Sequence, residues 1–219
     1  MAATLIFDAI LFDLDGTLID TNAVVQESWR RVASELGMPD SAFAPFIHGV
    51  PAPEVLDRVA PHLTPCERAR LARRVLDEQS RLDAPVALQP GALDLLAHLA
   101  SAPWGIVTSG DSVLATTNMR KTGLPAPHTL ITADDVRRGK PDPEPYLLAA
   151  QRFGIPPARC LVVEDSPAGV ASALAASMPV VAVCTTHREP DLSPATWVIH
   201  DLTALSVHAR GGPVHVIIS

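Results

Sequence analysis

The stretch Phe12-Asp13-Leu14-Asp15-Gly16-Thr17-Leu18 decides the fold. Ahead of it the apolar run Ala9-Ile10-Leu11-Phe12 reads as a buried strand, and after it the chain turns at Gly16. Asp13 and Asp15 therefore leave a sheet close together at a strand's carboxyl end, where open α/β sheets bind ligands. Two neighbouring carboxylates repel, so the site calls for a metal ion, a lysine or both. The competing reading is a plain polar turn. The rest of the chain discriminates between them.

From about Gln89 onward, short apolar runs alternate with helical patterns. Strands are predicted at Gly105–Val107, Thr129–Ile131, Cys160–Val163, Val180–Val183 and Trp197–Ile199. Helices are predicted around Leu93–Leu99, from Ser112, from Asp142-Pro143 with Asp142 as cap, and from Ser166-Pro167 to Ser177. Continuously apolar strands alternating with helices imply a Rossmann-like, doubly wound parallel sheet of the α/β class, covered on both faces. The tail Val214–Ile218 reads as an edge strand.

Residues 19–87 differ in character. Val25, Trp29, Val32 and Leu36 mark a helix over 22–36 ended by Gly37, and a second helix starts near Pro53. Thr64-Pro65-Cys66-Glu67 is a capping box opening a long helix to about Leu82. No strand is expected here. The chain thus divides into a core of residues 1–18 and 88–219 and a helical cap of residues 19–87. The hinges lie near Leu18–Thr21 and Ala84–Pro90. A cap placed there would cover Asp13 and exclude water from it. Trp29 and Phe46 read as cap core.

Composition removes several alternatives. With 219 residues, 47% apolar, the chain can bury a full core. A net charge of −7 with interspersed signs argues against a nucleic-acid binder, and no apolar run reaches the length of a membrane span. The N-terminus lacks the pattern of a signal peptide, so a cytoplasmic protein is expected, a monomer or weak homodimer. Cys66, Cys160 and Cys184 fit neither a disulfide framework nor a zinc site; the latter two read as buried thiols.

Four predicted strand ends carry polar groups: Asp13 and Asp15; Thr108, Ser109 and Gly110; the loop with Lys140; and Glu164 with Asp165. In a parallel sheet they share one edge. Singly, each reads as a turn, a cap or solvated charge; together they suit phosphoryl transfer. Asp13, Glu164 and Asp165 can supply an oxygen-rich site for Mg²⁺. A carboxylate can attack phosphorus, Asp15 can protonate the leaving oxygen, and Lys140 and Thr108 can hold phosphoryl oxygens.

With Asp13-Leu14-Asp15-Gly16-Thr17, Val107-Thr108-Ser109-Gly110, Gly139-Lys140-Pro141 and Val163-Glu164-Asp165-Ser166-Pro167 in order, the chain resembles the haloacid dehalogenase superfamily. The resemblance implies Asp13 as nucleophile and metal ligand, and Asp15 as acid/base with its carbonyl on Mg²⁺. It further implies Thr108 and Lys140 as phosphoryl-binding groups, Asp165 as a ligand, and Glu164 as a ligand directly or through water. The stretches Phe46-Ile47-His48-Gly49, Leu88-Gln89-Pro90-Gly91 and Ile131-Thr132-Ala133-Asp134-Asp135 resemble its branch of bacterial sugar phosphatases and yeast glycerol-3- and 2-deoxyglucose-6-phosphatases. That implies small sugar or polyol monophosphates as substrates and places His48 on a cap loop as a substrate-contact candidate. The alternatives are a mutase of the beta-phosphoglucomutase type and a non-catalytic phosphosugar-binding protein. The mutase reading is disfavoured because Ala52 and Val25 stand where its phosphate-clamping arginine and cap histidine are expected. Ser177 stands where relatives carry glycine, and His187 reads as surface.

Overall fold

The computed structural model describes residues 4–48, 50–82, 85–99, 101–209 and 212–218. Met1–Ala3, Gly49 and Ala84, which enter the readings of the N-terminus, the cap loop and the second hinge, lie outside these residues.

The chain opens with β1 (Thr4–Phe7), β2 (Ala9–Phe12) and the short β3 (Ile19–Asp20). Three helices follow: α1 (Asn22–Glu35), α2 (Ala52–Val59) and α3 (Pro65–Arg81). Then β4 (Ala87–Leu88), α4 (Ala92–His98), β5 (Trp104–Val107), α5 (Ser112–Thr122), β6 (Thr129–Ile131) and α6 (Glu144–Phe153) begin the alternating part. It closes with β7 (Cys160–Glu164), α7 (Pro167–Ala175), β8 (Val180–Val183), α8 (Glu189–Leu192), β9 (Trp197–Ile199), β10 (Leu205–His208) and β11 (Val214–Ile218).

Six strands form one sheet in the order β6-β5-β2-β7-β8-β9, with every pairing parallel. Successive residues point to opposite faces, and both faces are covered. Ile10 and Phe12 join Leu161, Val163 and Val181 in one hydrophobic cluster; Ala9 and Leu11 join Cys160, Val162 and Val180 in another on the opposite face. This double burial is why these strands read as unbroken apolar runs.

Three expectations are corrected. First, residues 19–87 do contain strand: β3 pairs antiparallel with β4, so the two connections to the helices run as a two-stranded ribbon. Second, the C-terminal strand is no edge: β11 lies between β1 and β10 in a separate antiparallel sheet. Val207, Val214 and Val216 seal that sheet onto the main core. Third, α6 begins at Glu144; Asp142 accepts the Glu144 N–H at 3.0 Å from just outside the helix. Cys160 is buried, but Cys184 is only half-buried.

Helices α1–α3 pack around a cluster of their own that includes Trp29, Phe43, Val55, Leu56 and Leu71. The Trp29 and Phe43 rings lie 5.4 Å apart. The capping box forms: the Thr64 hydroxyl accepts the Glu67 N–H, and the Glu67 carboxylate accepts the Thr64 N–H at 2.8 Å. Residues 51–82 then rest on the alternating part. Pro51 sits against Gly139, and Arg73 pairs with Asp111, the N-cap of α5, at 3.4 Å.

Helix α7 ends in a left-handed residue that is not glycine. Ser177 has φ 61°, while its N–H reaches Leu174 O at 2.9 Å and the Met178 N–H reaches Ala173 O at 3.0 Å. This is the Schellman hydrogen-bond pair with a side chain where glycine is favoured. Replacing Ser177 by Gly is expected to stabilise the fold by about 1 kcal/mol, because the left-handed backbone costs an L-residue about that much. A thermal-melt midpoint that does not rise would contradict this.

Candidate active site

The strand order brings the predicted groups to one edge. Phe12 pairs with Ile106 on one side and Val163 on the other, so β2, β5 and β7 end at the same level. Asp13, Thr108 and Asp165 follow these strands directly, and Lys140 arrives from the loop after β6.

Lys140 is the organising cation. It is 1% exposed, and its Nζ donates to Asp13 Oδ1 at 2.6 Å, Glu164 Oε1 at 2.6 Å and Val107 O at 2.9 Å. These three acceptors match the three protons of an ammonium. Burial alone would lower its pKa, but the charges of Asp13 and Glu164 raise it well above the usual value, so it stays charged. Its three protons are thus taken by the protein's own oxygens, two carboxylates and one backbone carbonyl.

Glu164 is saturated. Oε1 accepts from Lys140 and from the Tyr146 hydroxyl at 3.0 Å; Oε2 accepts from the Asp165 and Ser166 N–H groups and the Ser166 hydroxyl. A carboxylate offers about four lone-pair positions, so none remains for a direct metal bond. The first turn of α7 is bound to this arrangement. A Cβ on Gly169 would lie 1.7 Å from Glu164 Oε1, so glycine is required there.

Asp13 is the opposite case. Oδ1 is held by Lys140, while Oδ2 is buried and has no hydrogen-bond partner. Burial raises the Asp13 pKa well above the carboxylate range; Lys140 opposes this, and Glu164, Asp165 and Asp15 add to it. Oxygens of Asp13, Glu164 and Asp165 lie within 4.8 Å of one another. Asp165 accepts from the Thr17 hydroxyl at 3.2 Å and from Thr186, and burial followed by the Glu164 charge pushes it up to about 7. So dense a group of oxygens around one orphaned carboxylate atom fits a hard divalent cation, whose charge offsets the mutual repulsion.

Asp15 keeps one edge open to a cavity and is otherwise enclosed. Thr108 Oγ1 donates to its Oδ2 at 3.3 Å and Asn118 Nδ2 to its Oδ1 at 3.4 Å. Burial raises its pKa against the hydrogen bonds from Thr21, Thr108 and Asn118. The Thr108 hydroxyl also accepts the Gly110 N–H at 3.1 Å. Behind Asp15 the turn is fixed by its backbone: the Gly16 carbonyl accepts from Thr185 at 2.6 Å and Gln89 at 3.2 Å. Gly16 has φ 94°, and a Cβ there would meet Asp165 Oδ2 at 2.2 Å.

Asp13, Asp15, Thr108, Ser109 and Gly110 thus share one cavity, whose opposite wall comes from α1–α3 and the loop before α2. Val25 and Ala52 line that wall. His48 does not line it; its ring stands edge-on to His187 at 6.3 Å, and burial followed by the His187 charge pushes its pKa down to about 4. His187 is half-buried rather than surface, its Nδ1 3.2 Å from the Asp165 carbonyl. Sequence reasoning missed Tyr146, Asn118 and Thr186. Thr186 alone had a usable signal, since it follows β8, another parallel strand ending on this edge.

The model of the haloacid dehalogenase-like hydrolases matches residues 7–177. The chain is 40% identical over 90% of its length to hexitol phosphatase A of Escherichia coli K12, covering 92% of that protein. To 2-deoxyglucose-6-phosphate phosphatase 1 of Saccharomyces cerevisiae it is 33% identical, over 91% of this chain and 90% of that one. A crystal structure of a hydrolase from Pseudomonas syringae superposes with a TM-score of 0.81 at 27% identity, covering 89% of this chain and 94% of that one. The chain belongs to the haloacid dehalogenase-like hydrolases, in the branch of sugar and polyol phosphatases that its motifs resemble.

Tyr146→Phe removes one donor from the buried Glu164 carboxylate and keeps the ring over which Lys140 Nζ lies at 5.2 Å. The variant is expected to lose about 1–2 kcal/mol of unfolding free energy in urea titrations. An unchanged midpoint would show that the hydroxyl does not support the ion cluster.

Proposed function

We propose that this phosphoric monoester hydrolase acts on small sugar or polyol monophosphates, with Mg²⁺ as cofactor and an aspartyl phosphate on Asp13 as intermediate. The observation that carries the reading is the division of labour within one carboxylate. Asp13 Oδ1 is held by Lys140, and Oδ2 is left without a partner beside the cavity.

Asp13 Oδ2 attacks the phosphorus of the bound ester. The Thr108 hydroxyl and the adjoining backbone N–H groups hold the phosphoryl oxygens. Asp15 gives its proton to the departing alcohol oxygen, so the alcohol leaves neutral. The carboxylate left on Asp15 then takes a proton from water, whose oxygen attacks the same phosphorus. The Asp13–phosphorus bond breaks, inorganic phosphate leaves, and both aspartates return to their starting states. Throughout, Lys140 holds the Asp13 carboxylate in one orientation and offsets its charge. Asp13, Asp165 and the Asp15 carbonyl would hold Mg²⁺, while Glu164, its lone pairs already taken, positions Lys140 and the Asp165 backbone beside them. When bound, the ion neutralises charge on the transferring group.

Residues 19–87 act as the cap domain in this reading and residues 1–18 with 88–219 as the catalytic core. The cap wall supports a single-phosphate substrate, because the described cavity lining carries no Lys or Arg to clamp a second one. Val25 and Ala52 on that wall weigh against the mutase. The hexitol phosphatase relative supports a polyol or hexose skeleton.

Purified protein with Mg²⁺ is expected to release inorganic phosphate from hexitol and hexose monophosphates. Asp13→Asn is expected to fold normally and to lose at least roughly 10³-fold in turnover. Isomerised sugar phosphate without phosphate release would sink the hydrolase reading. Turnover retained by Asp13→Asn would sink the nucleophile, and full rates in chelator would sink the metal.

A further inference from the structure

The wall that faces Asp15, Thr108 and Ser109 across the cavity is mostly apolar, with Val25, Ile47, Ala52 and Leu76 among its side chains. Gln79 of α3 interrupts it. This glutamine is 8% exposed, a burial that an amide tolerates only when its polar atoms are matched. One is matched within the protein: Gln79 Nε2 donates to Ser28 Oγ at 3.1 Å.

The direction of that bond is forced. Ser28 Oγ lies 2.7 Å from the Val25 carbonyl, which can only accept, so the serine proton goes there. Ser28 can then only accept from Gln79. The amide is held with its nitrogen toward α1, and its carbonyl oxygen is the atom left over. That oxygen takes no hydrogen bond from any described residue, and it is not sealed from solvent. Gln79 lines the cavity that also holds Asp15 and Thr108.

We propose that Gln79 is a specificity-determining residue that presents its amide oxygen as the acceptor for a substrate hydroxyl, with Ser28 as the positioning residue that fixes its orientation. The inference rests on the phosphatase reading above and deepens it. A phosphate ester whose alcohol carries hydroxyl groups gains a bond on this wall; an ester with a hydroxyl-free alcohol leaves the oxygen unmet. A site built to bind a hydroxyl discriminates against ligands that lack it.

The test is the kcat and KM of wild type, Gln79→Met and Ser28→Ala with sorbitol 6-phosphate and with p-nitrophenyl phosphate. The readout is the ratio of kcat/KM for the polyol ester to that for the aryl ester. Gln79→Met keeps the side-chain length and removes both polar atoms. Its ratio is expected to fall roughly three- to ten-fold, the worth of one neutral hydrogen bond, with the polyol KM rising more than kcat falls. Ser28→Ala frees the amide to turn, and its ratio is expected to fall in the same direction by less. Equal losses on both esters would assign Gln79 to packing between α1 and α3 and overturn the proposal, as would an unchanged ratio. Should Gln79→Met fail to fold, an unchanged ratio in Ser28→Ala overturns it alone. Wild-type protein that hydrolyses the aryl ester but no sugar or polyol phosphate overturns the substrate class and this inference together. An unaltered ratio in a protein that does hydrolyse sorbitol 6-phosphate overturns this inference only.

Discussion

One buried ammonium holds the active site together. Lys140 is enclosed between Asp13 and Glu164 at 2.6 Å from each, and the rest of the carboxyl edge is built around it. A charge so deep is a poor source of stability, since desolvation offsets most of the attraction. Its value is positional. Removing one partner of such a pair typically costs about 3–5 kcal/mol, because the other charge is left uncompensated. The strand ends bearing Asp13 and Glu164 are thereby tied to the loop after β6. Glu164 in turn takes donors from Tyr146 of α6 and from the start of α7, so three segments converge on two carboxylates.

That convergence separates chemically similar residues into different roles. Glu164, with five donors, is inert; Asp13, with one oxygen unmet, is poised. Asp15, two residues on, faces the cavity and is steadied by Thr108 and Asn118. The spacing of these groups is held by glycines. A side chain at Gly16 or Gly169 would collide with Asp165 or Glu164, so the turn after β2 and the start of α7 can close only on glycine. In the proposed reading the core fixes the reaction centre, and the opposite wall of the cavity, from α1–α3, faces the rest of the substrate.

Much of this was legible in the sequence, and the reasons are physical. Strands buried on both faces, such as Ala9–Phe12 and Val180–Val183, have no choice but to be apolar throughout. The capping box at Thr64 and the positions of Asp13, Asp15, Thr108, Lys140 and Asp165 follow from local patterns at strand and helix ends. The misses share a cause as well. β3 and β4 are two residues each and exist only because they meet each other. β1 and β10 are stabilised by β11, more than 200 positions from β1 in the first case and adjacent in the second, so neither short run declares itself alone. Tyr146 and Asn118 lie on helices with nothing local to mark them; their roles arise from what α6 and α5 are packed against. Gln79 reads in sequence as one more polar residue of a charged helix, and only its bond to Ser28 across to α1 singles it out.

The claim on which the rest depends is that the unpartnered oxygen of Asp13 is the attacking atom. Rapid acid quench of the Mg²⁺-loaded enzyme during turnover of a hexitol phosphate, followed by peptide mass spectrometry, tests it directly. The account predicts a phosphoryl group on the peptide containing Asp13, formed within the first turnover and located on that residue by fragmentation. Steady phosphate release with no covalent phosphoryl adduct at any quench time, or an adduct on a different residue, would contradict it.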